Sequence, residues 1–114
     1  MKIALFNHCV KIERMLSSYQ KRKLYSQIVD RDGNLCRGCG RHDRLSLSHL
    51  VPVSANKKLE NDPENIHLHC MTWENEKGCH NKHEDKQWDD MLDGEEILLK
   101  LEQLDPEYFK LVTL

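Results

Sequence analysis

The chain lacks a long apolar segment, an internal repeat and a low-complexity tract. No apolar run in its 114 residues approaches the roughly 20 residues that a membrane-spanning helix needs. The N-terminal stretch "MKIALFNHCV" is too short for a secretory signal peptide, because Asn7 and His8 interrupt its apolar run. We therefore expect one domain spanning 1–114 in a soluble, intracellular protein with no membrane partner.

Aromatic residues are also scarce, since they make up 6% of the chain against 32% for charged residues. A domain this polar has a small hydrophobic core and gains stability from a metal ion or another cross-link. Five cysteines occupy positions 9, 36, 39, 70 and 79. Inside a cell they are reduced thiols or metal ligands rather than disulfides, so a metal site is the favoured cross-link.

The two parts of the chain carry opposite net charge, although the whole chain has a formal net charge of -2. Residues 1–58 have a balance of +8, and residues 59–114 have a balance of -10. A basic segment can contact a polyanion, while an acidic one limits nonspecific binding. An unevenly charged, solvated surface with no such partner fits the charge pattern equally well.

Hydrophobic periodicity predicts an α+β fold with three helices and two short strands. Ser17 or Ser18 can cap the first helix. The helices are expected over about 17–30, 80–92 and 94–104, and the strands over 45–53 and 65–70.

Histidines interrupt the pattern of both strands. In "LSLSHLVPV" His49 lies at the middle of the apolar face, where it is either a buried ring with a hydrogen-bond partner or a functional group. In "NIHLHC" His67 and His69 face away from Ile66 and Leu68. For these two, simple exposure is favoured over a role in binding metal or DNA phosphate.

Four of the cysteines have a spacing that predicts one metal site. Cys36-x2-Cys39 is a zinc-knuckle spacing, in which two thiolates reach one ion. Cys70 ends the second strand and Cys79 opens the following helix, so this pair can complete a tetrahedron of four thiolates. Such a closed site holds the fold and does not catalyse. Cys9 has no partner of this kind.

The motifs "SHLVP", "DPENIHLHC" and "GCHNKHE", interleaved in this order with the cysteine pairs, resemble the HNH endonuclease family of phages and bacteria. The matching stretch is about 32–84, and the nuclease core would extend over about 32–92. The resemblance implies a small zinc-stabilised ββα-metal (His-Me finger) core, flanked by N-terminal and C-terminal helices. It further implies a DNA phosphodiester hydrolase.

The resemblance also assigns roles to residues of this chain. His49 would be the general base, and Asn65 would fix the loop that orients it. His80 would bind the catalytic divalent ion, with Glu84 as second ligand or His83 as the alternative. Mg²⁺ or Mn²⁺ suits an oxygen-rich ligand set, whereas more histidine favours Zn²⁺, Co²⁺ or Ni²⁺.

The chain departs from the family at two places. The residue before the base is usually acidic or a histidine and often binds the ion, but here it is Ser48, a poor metal ligand. The second zinc pair is also stretched, with eight residues between Cys70 and Cys79. A zinc-stabilised nucleic-acid-binding module without catalysis is therefore an alternative, and a zinc-ribbon adaptor for a protein partner is another.

Basic residues of the N-terminal part would bind DNA phosphates in the nuclease. They are Lys21, Arg22, Lys23, Arg37, Arg41, Arg44, Lys57 and Lys58. No second DNA-reading segment is evident, so sequence specificity is expected to be low unless a protein partner or a homodimer supplies it. The resemblance implies the cytoplasm of a bacterial cell as the location, for a bacterial or phage-encoded protein.

Overall fold

The computed structural model describes residues 18–114, so Asn7, His8, Cys9 and the cap position Ser17 lie outside the described residues. The described part is an α+β arrangement of one two-stranded antiparallel sheet and four helices. These elements are α1 (helical throughout 18–32), β1 (Leu45–His49), β2 (Ile66–Cys70), α2 (Cys79–Glu84), α3 (Gly94–Leu104) and α4 (Pro106–Thr113).

The two strands form a hairpin in which Leu45 pairs with Cys70 and His49 pairs with Ile66. The predicted strand over 45–53 is wrong beyond His49. The reason is local hydrogen bonding: the N–H of Leu50 donates to the carbonyl of Asn65, and the side chain of Asn65 binds both the N–H and the carbonyl of Val51. These backbone groups are therefore used within the connection and not in a sheet ladder.

The helix predicted over 80–92 is also wrong in length, because α2 ends at Glu84. Lys86 has a left-handed backbone, with φ of 60°. The N–H of Gln87 donates to the carbonyl of Lys82, and the N–H of Lys86 donates to the carbonyl of His83. This pair of bonds is a Schellman motif, which terminates a helix. A single 3-10 turn, Trp88–Asp90, follows.

The C-terminal part is a pair of helices. The helix predicted over 94–104 is confirmed as α3, while α4 was not predicted. Asp105 starts α4, because its side chain accepts the N–H of Tyr108 at 3.0 Å and Pro106 occupies the first turn.

Two groups of buried apolar residues pack against the hairpin. In one group, Ile28 of α1 packs on Ile66 and Leu68. In the other group, the cysteines pack with Met91 and with Ile97 and Leu101 of α3. Every residue of β2 is therefore buried. None of the helices in residues 18–114 combines the length and the apolar character needed to cross a bilayer.

Candidate metal centre and active-site cavity

The four predicted cysteines come together at the end of the hairpin. The sulfur atoms of Cys36, Cys39, Cys70 and Cys79 all lie within 4.8 Å of one another. The Sγ atoms of Cys39 and Cys70 are 3.7 Å apart. Zinc–thiolate bonds of about 2.3 Å in a tetrahedron separate the sulfur atoms by about 3.8 Å. The cluster therefore has the size and the donor set to hold one zinc ion.

The local backbone is shaped to form this cluster. A Cβ atom at position 38 would lie 2.6 Å from the Sγ of Cys79, so only glycine fits at this position of the Cys36–Cys39 turn. The sulfur of Cys36 accepts the N–H of Cys70, and the sulfur of Cys70 accepts the N–H of Cys79. Burial raises the pKa of Cys36 to about 11. Bound metal is what would hold such buried sulfurs as thiolates near neutral pH.

His80 lies in the first turn of α2 and faces the hairpin. Ser46 Oγ lies 2.8 Å from His80 Nδ1 and donates its own hydrogen to the carbonyl of His69 at 3.1 Å. Because Ser46 has a single hydrogen to donate, His80 Nδ1 must carry the proton of the ring, and Nε2 keeps its lone pair. Nε2 lies 3.3 Å from Glu84 Oε1, one helical turn on. Burial lowers the pKa of His80.

This pair of atoms is suited to binding one ion from the same side. With bonds of about 2.0–2.2 Å, two ligands of a common ion lie about 3.0–3.5 Å apart. The separation of His80 Nε2 and Glu84 Oε1 falls within this range. His83, the alternative ligand, uses both ring nitrogens elsewhere. Its Nε2 contacts the carbonyls of His49 and Leu50, and its Nδ1 accepts the indole N–H of Trp88 at 3.0 Å.

His49 is held by one hydrogen bond. Its Nε2 lies 2.8 Å from the carbonyl oxygen of Glu60, in the connection between the strands. A carbonyl oxygen only accepts, so Nε2 carries the proton and Nδ1 keeps its lone pair. This is the protonation state in which an imidazole can act as a base. The ring is half-buried, with partial access to solvent.

Asn65 organises the connection that supplies the Glu60 carbonyl. It is fully buried, and its amide makes three hydrogen bonds. The amide oxygen accepts the N–H of Val51 at 2.8 Å, and the amide nitrogen donates to the carbonyls of Val51 and Leu59. The two arms of the connection are thereby fixed to each other. This geometry matches the loop-fixing role predicted for Asn65.

His49, His80 and Glu84 line a single cavity of about 350 Å³. The sequence analysis missed Tyr108 in its wall, because α4 itself was missed. Ser48 is also in the wall; it is fully buried, and its hydroxyl has no hydrogen-bond partner among residues 18–114. The complete lining is Ser48, His49, Pro52, His80, His83, Glu84 and Tyr108.

The basic residues predicted to bind DNA fall into three groups. Lys21 and Arg22 line a second cavity, of about 600 Å³, that reaches the other side of His49. Lys23, Lys57 and Lys58 are exposed. The remaining three have carboxylate partners: Arg37 with Glu96, and both Arg41 and Arg44 with Glu76. Among residues 18–114, the positive charge near His49 that has no carboxylate partner is thus carried by α1.

The exposure expected for His67 and His69 is wrong, because both rings are fully buried. The two residues project to the α2 side of the hairpin, where the start of α3 covers them. His67 Nδ1 and His69 Nε2 each lie 2.7 Å from the same carboxylate oxygen of Asp93. Although burial alone would raise it, these two donors hold the pKa of Asp93 well below its usual range.

Comparison of the chain with protein-family models, with curated proteins and with solved structures gives no match.

Proposed function

We propose that the chain is a metal-dependent endonuclease that hydrolyses phosphodiester bonds of DNA. One observation carries the proposal: the free Nδ1 of His49 and the donor pair of His80 and Glu84 line the same cavity. A phosphodiester hydrolase needs a base and a cation site that can act on one substrate. The resemblance to the HNH family supplies the substrate class.

His49 is the general base in this proposal. Its Nδ1 takes a proton from water as the water oxygen forms a bond to phosphorus, and the bond from phosphorus to the 3′ oxygen breaks. The Glu60 carbonyl keeps the other nitrogen protonated and the ring in place. Asn65 is a positioning residue, since its three hydrogen bonds fix the connection that contains Glu60.

His80 and Glu84 would hold the divalent ion. Their nitrogen and oxygen donors accept Mn²⁺, Zn²⁺, Co²⁺ or Ni²⁺, and Mg²⁺ less well because it prefers an all-oxygen set. When bound, the ion supplies Lewis-acid stabilisation of the charge that develops on the phosphate and the leaving oxygen. The Ser46 hydroxyl fixes the His80 tautomer that presents Nε2, which is the outer-shell role expected around a metal-binding histidine.

Contacts to the DNA backbone would come from α1 and the connection between the strands. Lys21 and Arg22 lie beside His49 and have no carboxylate partner among residues 18–114. Lys57 and Lys58 are exposed at the turn of the connection. Such contacts position a duplex without reading its sequence.

A nucleic-acid-binding module without catalysis is the second candidate, and Ser48 favours it. A buried hydroxyl stands where the family usually has a metal-binding side chain, so only two side chains of the cavity are suited to the ion. Both candidates use the basic residues Lys21, Arg22, Lys57 and Lys58 to contact the nucleic acid. They differ in whether a nucleic acid is cleaved.

The test is nicking of supercoiled plasmid by the purified chain with Mn²⁺, Mg²⁺ or Ni²⁺. We expect His49→Ala to lower the rate by about 10²–10⁴-fold, the usual effect of removing a general base. Zinc content and circular dichroism should be unchanged. His42→Ala is the matched control, because His42 is an exposed histidine outside both cavities.

Nicking by His49→Ala at nearly the wild-type rate would remove His49 from the mechanism. If the wild-type chain cleaves nothing with any of these ions but shifts DNA in a gel with chelator present, the binding module is the better proposal.

A further inference from the structure

The buried group of His67, His69 and Asp93 is separate from the four cysteines and from the active-site cavity. One ligand atom from each of the three residues lies within 4.8 Å of the others. His67 and His69 are 0% exposed, and Asp93 is 5% exposed. The group therefore combines two imidazoles and a carboxylate in an interior from which solvent is excluded.

The side chain of Asp93 points into this group and does not cap α3. It occupies the N-cap position of α3, where an aspartate normally accepts a backbone N–H of the first turn. No such side-chain bond is formed. The carboxylate turns toward β2, and one of its oxygens, Oδ2, contacts both rings at 2.7 Å.

Protein hydrogen bonds leave this group incomplete. His67 Nε2 accepts from the ammonium of Lys100 at 3.1 Å, so Nδ1 donates to Asp93. His69 Nδ1 and Asp93 Oδ1 are buried and have no hydrogen-bond partner within the described residues. Buried polar atoms are nearly always satisfied in native proteins, and an exception such as Asp93 Oδ1 marks a place where a water molecule or an ion can bind.

We infer that His67, His69 and Asp93 form a second metal site, for a transition-metal ion such as Zn²⁺. Two imidazole nitrogens with a carboxylate are a common zinc donor set, while Mg²⁺ and Ca²⁺ prefer oxygen ligands alone. Ligand atoms around a tetrahedral zinc lie about 3.3 Å apart, so each imidazole nitrogen, now 2.7 Å from Asp93 Oδ2, needs to move away from that oxygen by about half an ångström. Asp93 Oδ1 offers a further donor atom.

Metal binding would rearrange two protons without releasing any. The hydrogen on His67 Nδ1 moves to Nε2, and the hydrogen on His69 Nε2 moves to Nδ1, because a neutral imidazole binds a metal through its unprotonated nitrogen. Lys100 then shifts toward Glu64 and Glu96, whose carboxylates already lie 3.4 and 3.5 Å from its nitrogen. The ion would connect β2 to the first turn of α3 and so act as a structural cross-link.

Metal stoichiometry tests this inference independently of the nuclease proposal. The full chain carrying His80→Ala, which disables the cavity site, is stripped with chelator, refolded with excess Zn²⁺ and desalted. Elemental analysis should give about two zinc ions per chain. Adding Asp93→Asn should reduce this to about one, while His42→Gln, at an exposed histidine, should leave two.

Cobalt gives a readout that also reports folding. The four-cysteine site should give thiolate-to-cobalt charge-transfer bands in every variant that folds. The absorption bands of cobalt bound by nitrogen and oxygen should be present in the His80→Ala chain and in the His42→Gln control, and absent when Asp93→Asn is added. If the His80→Ala chain with Asp93 intact binds only one zinc ion at saturation, the inference is overturned. This outcome counts whether or not the Asp93→Asn variant folds. Two ions retained with Asp93→Asn would overturn it as well.

Discussion

Ser48 is a polar residue in a buried position. Its hydroxyl is fully buried in the wall of the cavity lined by His49, His80 and Glu84, and it has no hydrogen-bond partner among residues 18–114. In the register of the hairpin Ser48 pairs with His67, and Ser46, two residues earlier, contacts His80. Ser48 therefore projects to the side of the hairpin on which His80 lies, where a longer acidic side chain would approach the proposed ion.

Ser48→Asp should accordingly lower the metal concentration needed for half-maximal plasmid cleavage. A carboxylate is a far better ligand for Mg²⁺ and Mn²⁺ than a hydroxyl, and a third protein ligand would strengthen a site that now has two. The measurement is a Mn²⁺ titration of the nicking rate for the wild type and the variant. The gain should disappear when His80→Ala is added, because that change removes a ligand of the same ion.

Ser48→Asn is the matched control, since it has the size of aspartate but no charge. Its titration midpoint should stay close to that of the wild type. If Ser48→Asp also leaves the midpoint unchanged, Ser48 does not border the ion and this segment has been wrongly assigned to the family pattern.

At the scale of elements, the connection between β1 and β2 determines where His49 points. The connection spans 50–65 and contains two 3-10 turns, Lys57–Leu59 and Pro63–Asn65. Asn65 closes it by binding both backbone groups of Val51 and the carbonyl of Leu59. Since the Glu60 carbonyl that holds His49 follows Leu59 directly, the stability of the connection and the orientation of the His49 ring are coupled.

Asn65→Ala should therefore reduce both stability and cleavage. Loss of the amide leaves the buried N–H of Val51 without its acceptor, which costs on the order of 2–3 kcal/mol of unfolding free energy. Urea denaturation measures this loss. Asn61→Ala, at an exposed asparagine of the same connection, should change the unfolding free energy by less than about 0.5 kcal/mol. An Asn65→Ala chain as stable as that control would contradict the closing role of Asn65.

The elements show which local features of a sequence can be interpreted alone. The acidic first turn of α3 and the alternation of β2 were sufficient to predict those elements. The start of α4 was also present in the sequence, as Asp105 followed by Pro106, and was overlooked. The end of α2 could not be predicted, because its left-handed position is occupied by Lys86 and not by glycine or asparagine.

The hydrogen-bond partner of His67 and His69 could not be predicted from the sequence, for a different reason. Alternation correctly placed His67 and His69 on the face opposite Ile66 and Leu68. It could not show that the start of α3, some 24–26 residues later, covers that face and supplies Asp93. Residue types and spacing predicted that the four cysteines come together, and the family resemblance named His49, His80 and Glu84, while tertiary packing determined which faces are buried.

At the scale of the whole molecule, the four-cysteine cluster connects segments that are far apart in the sequence. Cys36 and Cys39 follow α1, Cys70 ends the hairpin and Cys79 begins α2. The buried apolar residues around the cluster include Leu50, Met91 and Ile97, which belong to three further segments. The cluster is thus the point at which the N-terminal helix, the hairpin and the C-terminal helices converge.

Cys36→Ser and Cys70→Ser should each unfold or aggregate the chain. A structural zinc site contributes about 10–16 kcal/mol of apparent binding free energy, which is comparable to the net stability of a typical domain, about 5–15 kcal/mol. Removing one thiolate also leaves the buried sulfurs of its partners without the cation that would ionise them. Circular dichroism should show loss of helix in these variants, and likewise in the wild type with chelator, where added Zn²⁺ restores it.

Cys9→Ser, which changes the cysteine without a partner in the zinc motif, should stay folded with its thiolate-bound zinc. A well-folded Cys70→Ser chain with no thiolate-bound zinc would show that the cluster is not what holds these segments together.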